Sequence, residues 1–152
     1  MVGEIVIRRA GFGDLGALNA LTQASKAYEG AYRAILDGYE ITRAQVTEDC
    51  VYLAGDASGL LGYYSLKLQP EPELDLMFVA DRAQGGGLGA RLFAHMTDVA
   101  RKEGCASVKI VSHPPSAGFY RRMGATEVGV SAPKGRITWA RPVLHVVLGG
   151  QP

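Results

Sequence analysis

Leu74-Asp75-Leu76-Met77-Phe78-Val79-Ala80-Asp81-Arg82-Ala83-Gln84-Gly85-Gly86-Gly87-Leu88-Gly89-Ala90 is the stretch that decides how this chain is read. Its first six residues form an apolar strand pattern, and an amphipathic helix begins at about Leu88, so the glycines fall at a strand-to-helix junction. Such a junction points several backbone N–H groups in one direction, at the positive end of a helix dipole. With no β-carbons in the way, those amides can approach a phosphate closely, which predicts an anion cradle.

Two other phosphate loops must be weighed against this one. Gly85-x-Gly87-x-x-Ala90 satisfies the dinucleotide fingerprint with alanine in the last place. That fingerprint opens a domain and needs an acidic residue about 20 residues on for the ribose. Here three β-rich runs come first, and the next strand ends at Val111-Ser112-His113 without a carboxylate. A Walker loop needs Gly-Lys followed by Ser or Thr, which is absent.

Outward from the loop, Leu88, Leu92, Phe93, Met96, Val99 and Ala100 form one helical stripe ending near Gly104, with Arg91, Asp98 and Arg101 facing water. His95 borders that stripe without a partner at helical spacing and reads as structural. Upstream, Cys50–Ala54, Leu60–Leu68 and Leu74–Val79 are β-rich runs divided by turn signals at 55–59 and 69–72, which predicts an antiparallel meander. Before them, Glu4–Arg8 reads as a strand, Asp14 as the N-cap of a helix to about Tyr28, and 31–37 and 42–48 as short helical pieces. Downstream, 106–112 is a strand parallel to 74–79, because a helix connects them. Ser116–Met123 is a two-turn helix stopped by Gly124, and 126–130, 137–140 and 143–148 complete the sheet.

The 152 residues predict one domain, with 47% apolar and 20% charged residues in the ordinary globular range. A net charge of +1 gives no global field toward nucleic acid or membrane, and the pairs Arg8-Arg9, Arg101-Lys102 and Arg121-Arg122 read as solvated surface. The two cysteines, Cys50 and Cys105, lie far apart without metal-ligand partners, which predicts packing roles and no metal site. With no signal peptide pattern and no apolar run of spanning length, the expectation is a cytoplasmic protein.

The chain resembles the GNAT superfamily of acetyl-coenzyme A-dependent N-acetyltransferases. That family's pyrophosphate loop reads Gln or Arg, two residues, Gly, one residue, then Gly or Ala, and Gln84-Gly85-Gly86-Gly87-Leu88-Gly89 fits it in full. A second landmark after the next strand is matched by Ala117-Gly118-Phe119-Tyr120-Arg121-Arg122-Met123-Gly124-Ala125. The order of elements agrees along almost the whole chain. The resemblance implies an α/β (α+β) fold in a single domain over 1–152. Its mixed, mostly antiparallel sheet would have about seven strands, with helices on both faces and splayed parallel central strands. One departure is Pro115, which stands where relatives often carry an Asn that contacts the coenzyme; Ser116 could take over that contact.

Acetyl-coenzyme A is the implied co-substrate. Its pantetheine arm would enter between the splayed strands onto backbone groups of Phe78 and Val79, one amide serving as an oxyanion donor. Gln84, Gly85, Gly86, Gly87, Leu88, Gly89 and Ala90 would surround the pyrophosphate. The resemblance makes Tyr120 the candidate general acid for the thiolate, with packing against the coenzyme as its alternative role. An alkyl ammonium of pKa about 10.4 costs about 4–5 kcal/mol to deprotonate at pH 7, so a base is useful. Glu73 and Asp75 share one strand face by their spacing and are candidate bases, His113 a third. Tyr28, Tyr32 and Tyr39 fall where the acceptor cleft is implied. The acceptor class is a small-molecule or peptide amine, with no nucleic acid or membrane partner, and homodimerisation stays open. The alternative to an enzyme is a non-catalytic acyl-coenzyme A-binding or sensing module of the same fold.

Overall fold

A computed structural model describes residues 4–26, 30–36 and 38–149. The β-rich centre folds into the expected meander: β2 (Cys50–Asp56), β3 (Gly59–Lys67) and β4 (Glu73–Val79) pair antiparallel in succession. The β2–β3 turn is held by the Asp56 carboxylate, which accepts the Ser58 amide at 2.8 Å. Strand β1 (Val6–Arg9) pairs antiparallel with β2, and β5 (Ser107–Val111) lies parallel to β4. Beyond β5, β7 (Arg141–Val147) and the edge strand β6 (Thr126–Ser131) complete a seven-stranded sheet of order β1-β2-β3-β4-β5-β7-β6.

Helices cover both faces of this sheet. On one face, α3 (Leu88–Lys102) buries Leu88, Leu92, Phe93, Met96 and Ala100 against Tyr64, Leu66, Leu74, Val108, Ile110 and Leu144. Each fully buried large side chain here contributes roughly 1.5–3 kcal/mol of transfer free energy. Arg101 and Lys102 in the last turn complement the negative end of the helix. The short α4 (Ala117–Arg122) closes the same layer through Tyr120. On the other face, Leu18 of α1 (Leu15–Ala24) and Val46 of α2 (Arg43–Glu48) pack with Leu36, Ile41, Val51, Leu53, Tyr63 and Phe78. Among the described residues, no helix is long and apolar enough to cross a membrane.

Close approach between α3 and the sheet depends on Gly62. A β-carbon there would stand 2.8 Å from the Phe78 carbonyl oxygen and 3.1 Å from a Leu92 methyl. Gly62→Ala is therefore expected to destabilise the fold by about 1–3 kcal/mol, the usual cost of overpacking, read as a lower denaturant midpoint at unchanged slope.

Two irregularities in β4 shape the molecule. Ser65 pairs with Leu76 and Leu66 with Leu74, which leaves Asp75 as one extra residue, a β-bulge. The pleat therefore changes phase: Leu74 joins the α3 layer, while Leu76 and Phe78 join the α1 layer and Met77 and Val79 return to the α3 side. Strand β4 also meets β5 at one register position alone, Glu73 with Lys109, reinforced by the Lys109 amide donating to the Pro72 carbonyl at 3.0 Å. Past that point the two strands part.

Several expected boundaries move. Helix α1 ends at Ala24, with the Ser25 amide donating to the Thr22 carbonyl, and the expected continuation to Tyr28 lies outside the described residues. Asp14 does not cap α1 with its side chain; its carboxylate accepts the Gly11 amide at 2.8 Å and pairs with Arg8 at 2.8 Å. Asp14 thus holds the expected N-cap position of α1, with its carboxylate engaged by Arg8 and Gly11 instead of the helix's first turn. The 31–37 piece is a 3-10 helix, Gly30–Leu36. The expected strand at 137–140 is absent, because Ile137 and Lys134 bond back to each other across a tight turn and have no neighbouring strand to join. His95 does have a partner: its Nδ1 lies 2.7 Å from the Tyr64 hydroxyl on β3, a contact no helical spacing could reveal.

Candidate active site

The parting of β4 from β5 opens a cavity of about 500 Å³. One wall is 74–79 of β4, the other is Ile110, Val111, Ser112 and His113, and α4 supplies Phe119 and Tyr120. Its mouth is formed by Gln84, Gly85, Gly87, Leu88, Gly89 and Ala90. Gly86 is exposed on the same loop without lining the cavity. Gly85 and Gly87 hold φ of +82° and +80°, a region L side chains avoid, so the sequence places glycine where the turn demands it. Gly87 is the N-cap of α3 and offers no side-chain bond to the first turn, whose amides face the mouth of the cavity. A β-carbon at Gly85 or Gly87 would meet no atom within 4 Å, so the cradle is open. That geometry, N–H groups and a helix dipole without side chains in front, fits a phosphate group.

Gln84 has a role the motif alone did not reveal. Its Nε2 donates to the Val79 carbonyl at 3.0 Å and ties the end of β4 to the glycine loop. Gly89 brings α3 close to α4, since a β-carbon there would lie 3.3 Å from the Phe119 ring. Tyr120 is buried; its ring packs against Phe93 at 6.1 Å and Phe119 at 5.3 Å between centroids. Its carbonyl accepts the Ala125 amide at 3.0 Å, which fixes the helix end that presents it. Ser116 lines the cavity beside Pro115, and its own amide is spent on the His113 carbonyl at 3.0 Å. Arg122 also lines the cavity, with Gly118 leaving room for its guanidinium at 3.5 Å from where a β-carbon would stand. The sequence reading put Arg122 on solvated surface with Arg121; of the two, Arg121 pairs outward with Glu127 at 2.9 Å.

A second cavity of about 440 Å³ opens on the opposite side of the cleft. It is bounded by Ile35, Leu36 and Tyr39, by Asp49 and Lys67, by Glu73 and Asp75, and by Arg141 at the start of β7. Glu73 and Asp75 both line this cavity, as their alternate spacing suggested. Asp75, Leu76, Phe78, Val111 and His113 line both cavities, so the two meet there. Glu73 lines the second cavity alone and sits 3.9 Å from the Lys109 ammonium. Burial pushes the Asp75 carboxyl above its ordinary pKa, against the opposing pull of Lys67. Burial does the same to Asp49, and to the Tyr39 phenol. His113 is buried, with the Tyr32 ring edge-on at 5.8 Å, and Tyr32 stacks edge-on to Trp139 at 4.9 Å. Among the described residues no group of three or more His, Cys, Asp or Glu could hold a metal.

Asp49, Lys67 and Arg141 come from three separate elements and carry no local motif, while Arg122 lies within the Ala117–Ala125 landmark but was assigned no site role. The signal that existed was weak: a charged residue at either end of a strand bordering the cleft.

The fold recurs widely among solved structures. The ribosomal-protein-S18-alanine N-acetyltransferase of Escherichia coli superposes at TM-score 0.74 with 15% identity, over 98% of this chain and 97% of the other. N-acetylglutamate synthase from Neisseria gonorrhoeae, complexed with coenzyme A and L-arginine, gives 0.74 with 22% identity over 95% of this chain and 33% of the other. A GNAT family acetyltransferase from Elizabethkingia anophelis, with acetyl-coenzyme A bound, gives 0.68 with 18% identity over 94% and 97%. A search of curated protein sequences returns no match. Residues 18–125 match the family described as the acetyltransferase (GNAT) family, a span that takes in the meander, the glycine loop, α3, β5 and α4. With that match over most of its length and the splayed-strand cleft in place, the chain belongs to the GNAT family of acetyltransferases.

Proposed function

We propose that this protein transfers an acetyl group from acetyl-coenzyme A to the primary amine of a small molecule or peptide, by direct attack in a ternary complex. The observation that carries the reading is the wall shared by the two cavities, Asp75, Leu76, Phe78, Val111 and His113. A thioester entering from the glycine-loop side and an amine entering from the Asp75 side would meet across it.

In this reading the amides at the N-terminus of α3 and the Arg122 guanidinium hold the diphosphate, each charge-assisted bond contributing roughly 1.5–3 kcal/mol. Backbone groups of Phe78 and Val79 border the pantetheine, and one amide there stabilises the oxyanion. Asp75 takes a proton from the ammonium. The freed lone pair forms the C–N bond at the thioester carbonyl, the C–S bond breaks, and Tyr120 donates its proton to the leaving thiolate. The amine's second proton leaves to solvent and Tyr120 is reprotonated, so the products are the amide and coenzyme A thiol. Asp75 is favoured over Glu73 as base because it alone of the two reaches the junction. A candidate base at the junction, Asp75, and a candidate acid lining the glycine-loop cavity, Tyr120, favour an enzyme over a sensing module.

The test is thiol release from acetyl-coenzyme A over a panel of amines, with pH profiles. Because burial raises the Asp75 pKa, the carboxylate that acts as base forms only above the ordinary range near 3.9, and kcat/KM should climb as pH rises through that raised value. Asp75→Asn is expected to remove this acidic limb and lower kcat by about 100-fold. The stability effect has the opposite sign. A folded-state pKa above the unfolded one favours the fold at low pH, and this contribution is lost as pH rises through the folded value. Asp75→Asn should therefore melt higher than the parent at neutral pH. An unaltered profile in the variant would remove Asp75 from the chemistry.

A further inference from the structure

The second cavity holds a cation whose needs the fold does not meet. The Nε of Arg141 is buried and has no hydrogen-bond acceptor among the described residues. The ion pairs among those residues join Arg8 to Asp14, Arg101 to Asp98, Lys109 to Glu71 and Glu73, and Arg121 to Glu127; Arg141 is in none of them. Lys67, the other cation lining this cavity, is already within the field of Asp49 and Asp75, whose carboxyls it pulls down. A buried guanidinium N–H left without an acceptor is destabilising, and a carboxylate from a ligand would satisfy it with a short charge-assisted bond.

Across the cavity the charge reverses: Asp75 and Glu73 lie on β4 and Asp49 precedes β2. Apolar surface from Ile35, Leu36 and the Tyr39 ring forms the remaining wall. A volume of about 440 Å³ suits a molecule of amino-acid size. We infer that the acceptor is a small amino acid whose free carboxylate is held by Arg141 while its amine lies at Asp75 and its side chain rests on Ile35, Leu36 and Tyr39. This rests on the transferase reading above, and adds to it the chemistry by which the acceptor is chosen.

The experiment compares free amino acids with their amides, methyl esters and decarboxylated amines, and with dipeptides, as acceptors for acetyl-coenzyme A by thiol release. Free amino acids should exceed their carboxylate-blocked counterparts by about 100-fold in kcat/KM, mainly through KM, in line with the worth of a bidentate Arg–carboxylate contact. Dipeptides, whose carboxylate is displaced by one residue, should fall with the blocked compounds. Arg141→Gln should erase the preference while leaving calorimetric affinity for acetyl-coenzyme A unchanged, and Arg141→Lys should restore part of it. Binding of a free amino acid to the protein saturated with coenzyme A, followed by calorimetry, should vanish in Arg141→Gln. Equal turnover of amino acids and their amides would overturn carboxylate recognition and leave the transferase reading standing. No thiol release with any amine, despite coenzyme binding, would overturn both.

Discussion

Gly87→Glu is expected to abolish acetyl-coenzyme A binding, with affinity falling at least about 100-fold by calorimetry. Two charge-assisted bonds at roughly 1.5–3 kcal/mol each, lost together, correspond to about two to four orders of magnitude in Kd. No atom lies within 4 Å of the site of the new β-carbon, so the loss would not come from a clash inside the fold. It would come from a carboxylate standing at the mouth of the cavity, where the diphosphate must sit. The substitution also carries strain, because Gly87 has φ of +80° and an L residue in that region costs about 1–2 kcal/mol. Ala90→Glu separates the two effects. Ala90 is an exposed first-turn residue of α3 that lines the same mouth, and a negative charge there favours the helix by about 0.3–1 kcal/mol. That variant should melt no lower than the parent and still lose coenzyme affinity. Unchanged affinity in both would place the diphosphate elsewhere.

Tyr120→Phe is expected to lower kcat by about 100-fold with the Kd for acetyl-coenzyme A kept within about twofold. Phenylalanine preserves the ring that packs against Phe93 and Phe119, so the α4 layer should stay closed and the melting temperature nearly constant. What disappears is the proton offered to the departing thiolate. The defect should therefore shrink for acyl donors whose thiol is a better leaving group, since those need less assistance. A rate with a good amine equal to the parent's would reduce Tyr120 to a packing residue.

Local physics made much of this fold readable. The meander announced itself through alternating runs and turn residues, and α3 through a stripe that starts immediately after glycines held at positive φ. Tyr120 was legible because its helix is short, starts soon after a strand and ends at Gly124, whose φ is +100°. The misses share one cause: they depend on partners distant in sequence. Asp14 sits at the N-cap of α1 but gives its carboxylate to Arg8 instead of the helix, and residues 137–140 fail as a strand because β6 already forms the edge. His95 is structural, as its place on the helix suggested, and only its partner, a tyrosine from β3, was hidden. Arg122 is exposed, as its charge pair suggested, yet borders the first cavity, and Arg141 lines the second through strands distant in sequence.

The bulge at Asp75 ties the candidate site to the packing of the whole centre. Removing that one supernumerary residue would not simply narrow a groove. It would restore a regular ladder with Leu76, Met77, Phe78 and Val79 in their present layers, and take away the carboxylate that both cavities share. A change of length at this one position would thus alter the cleft while leaving the strand's packing on both faces as it is.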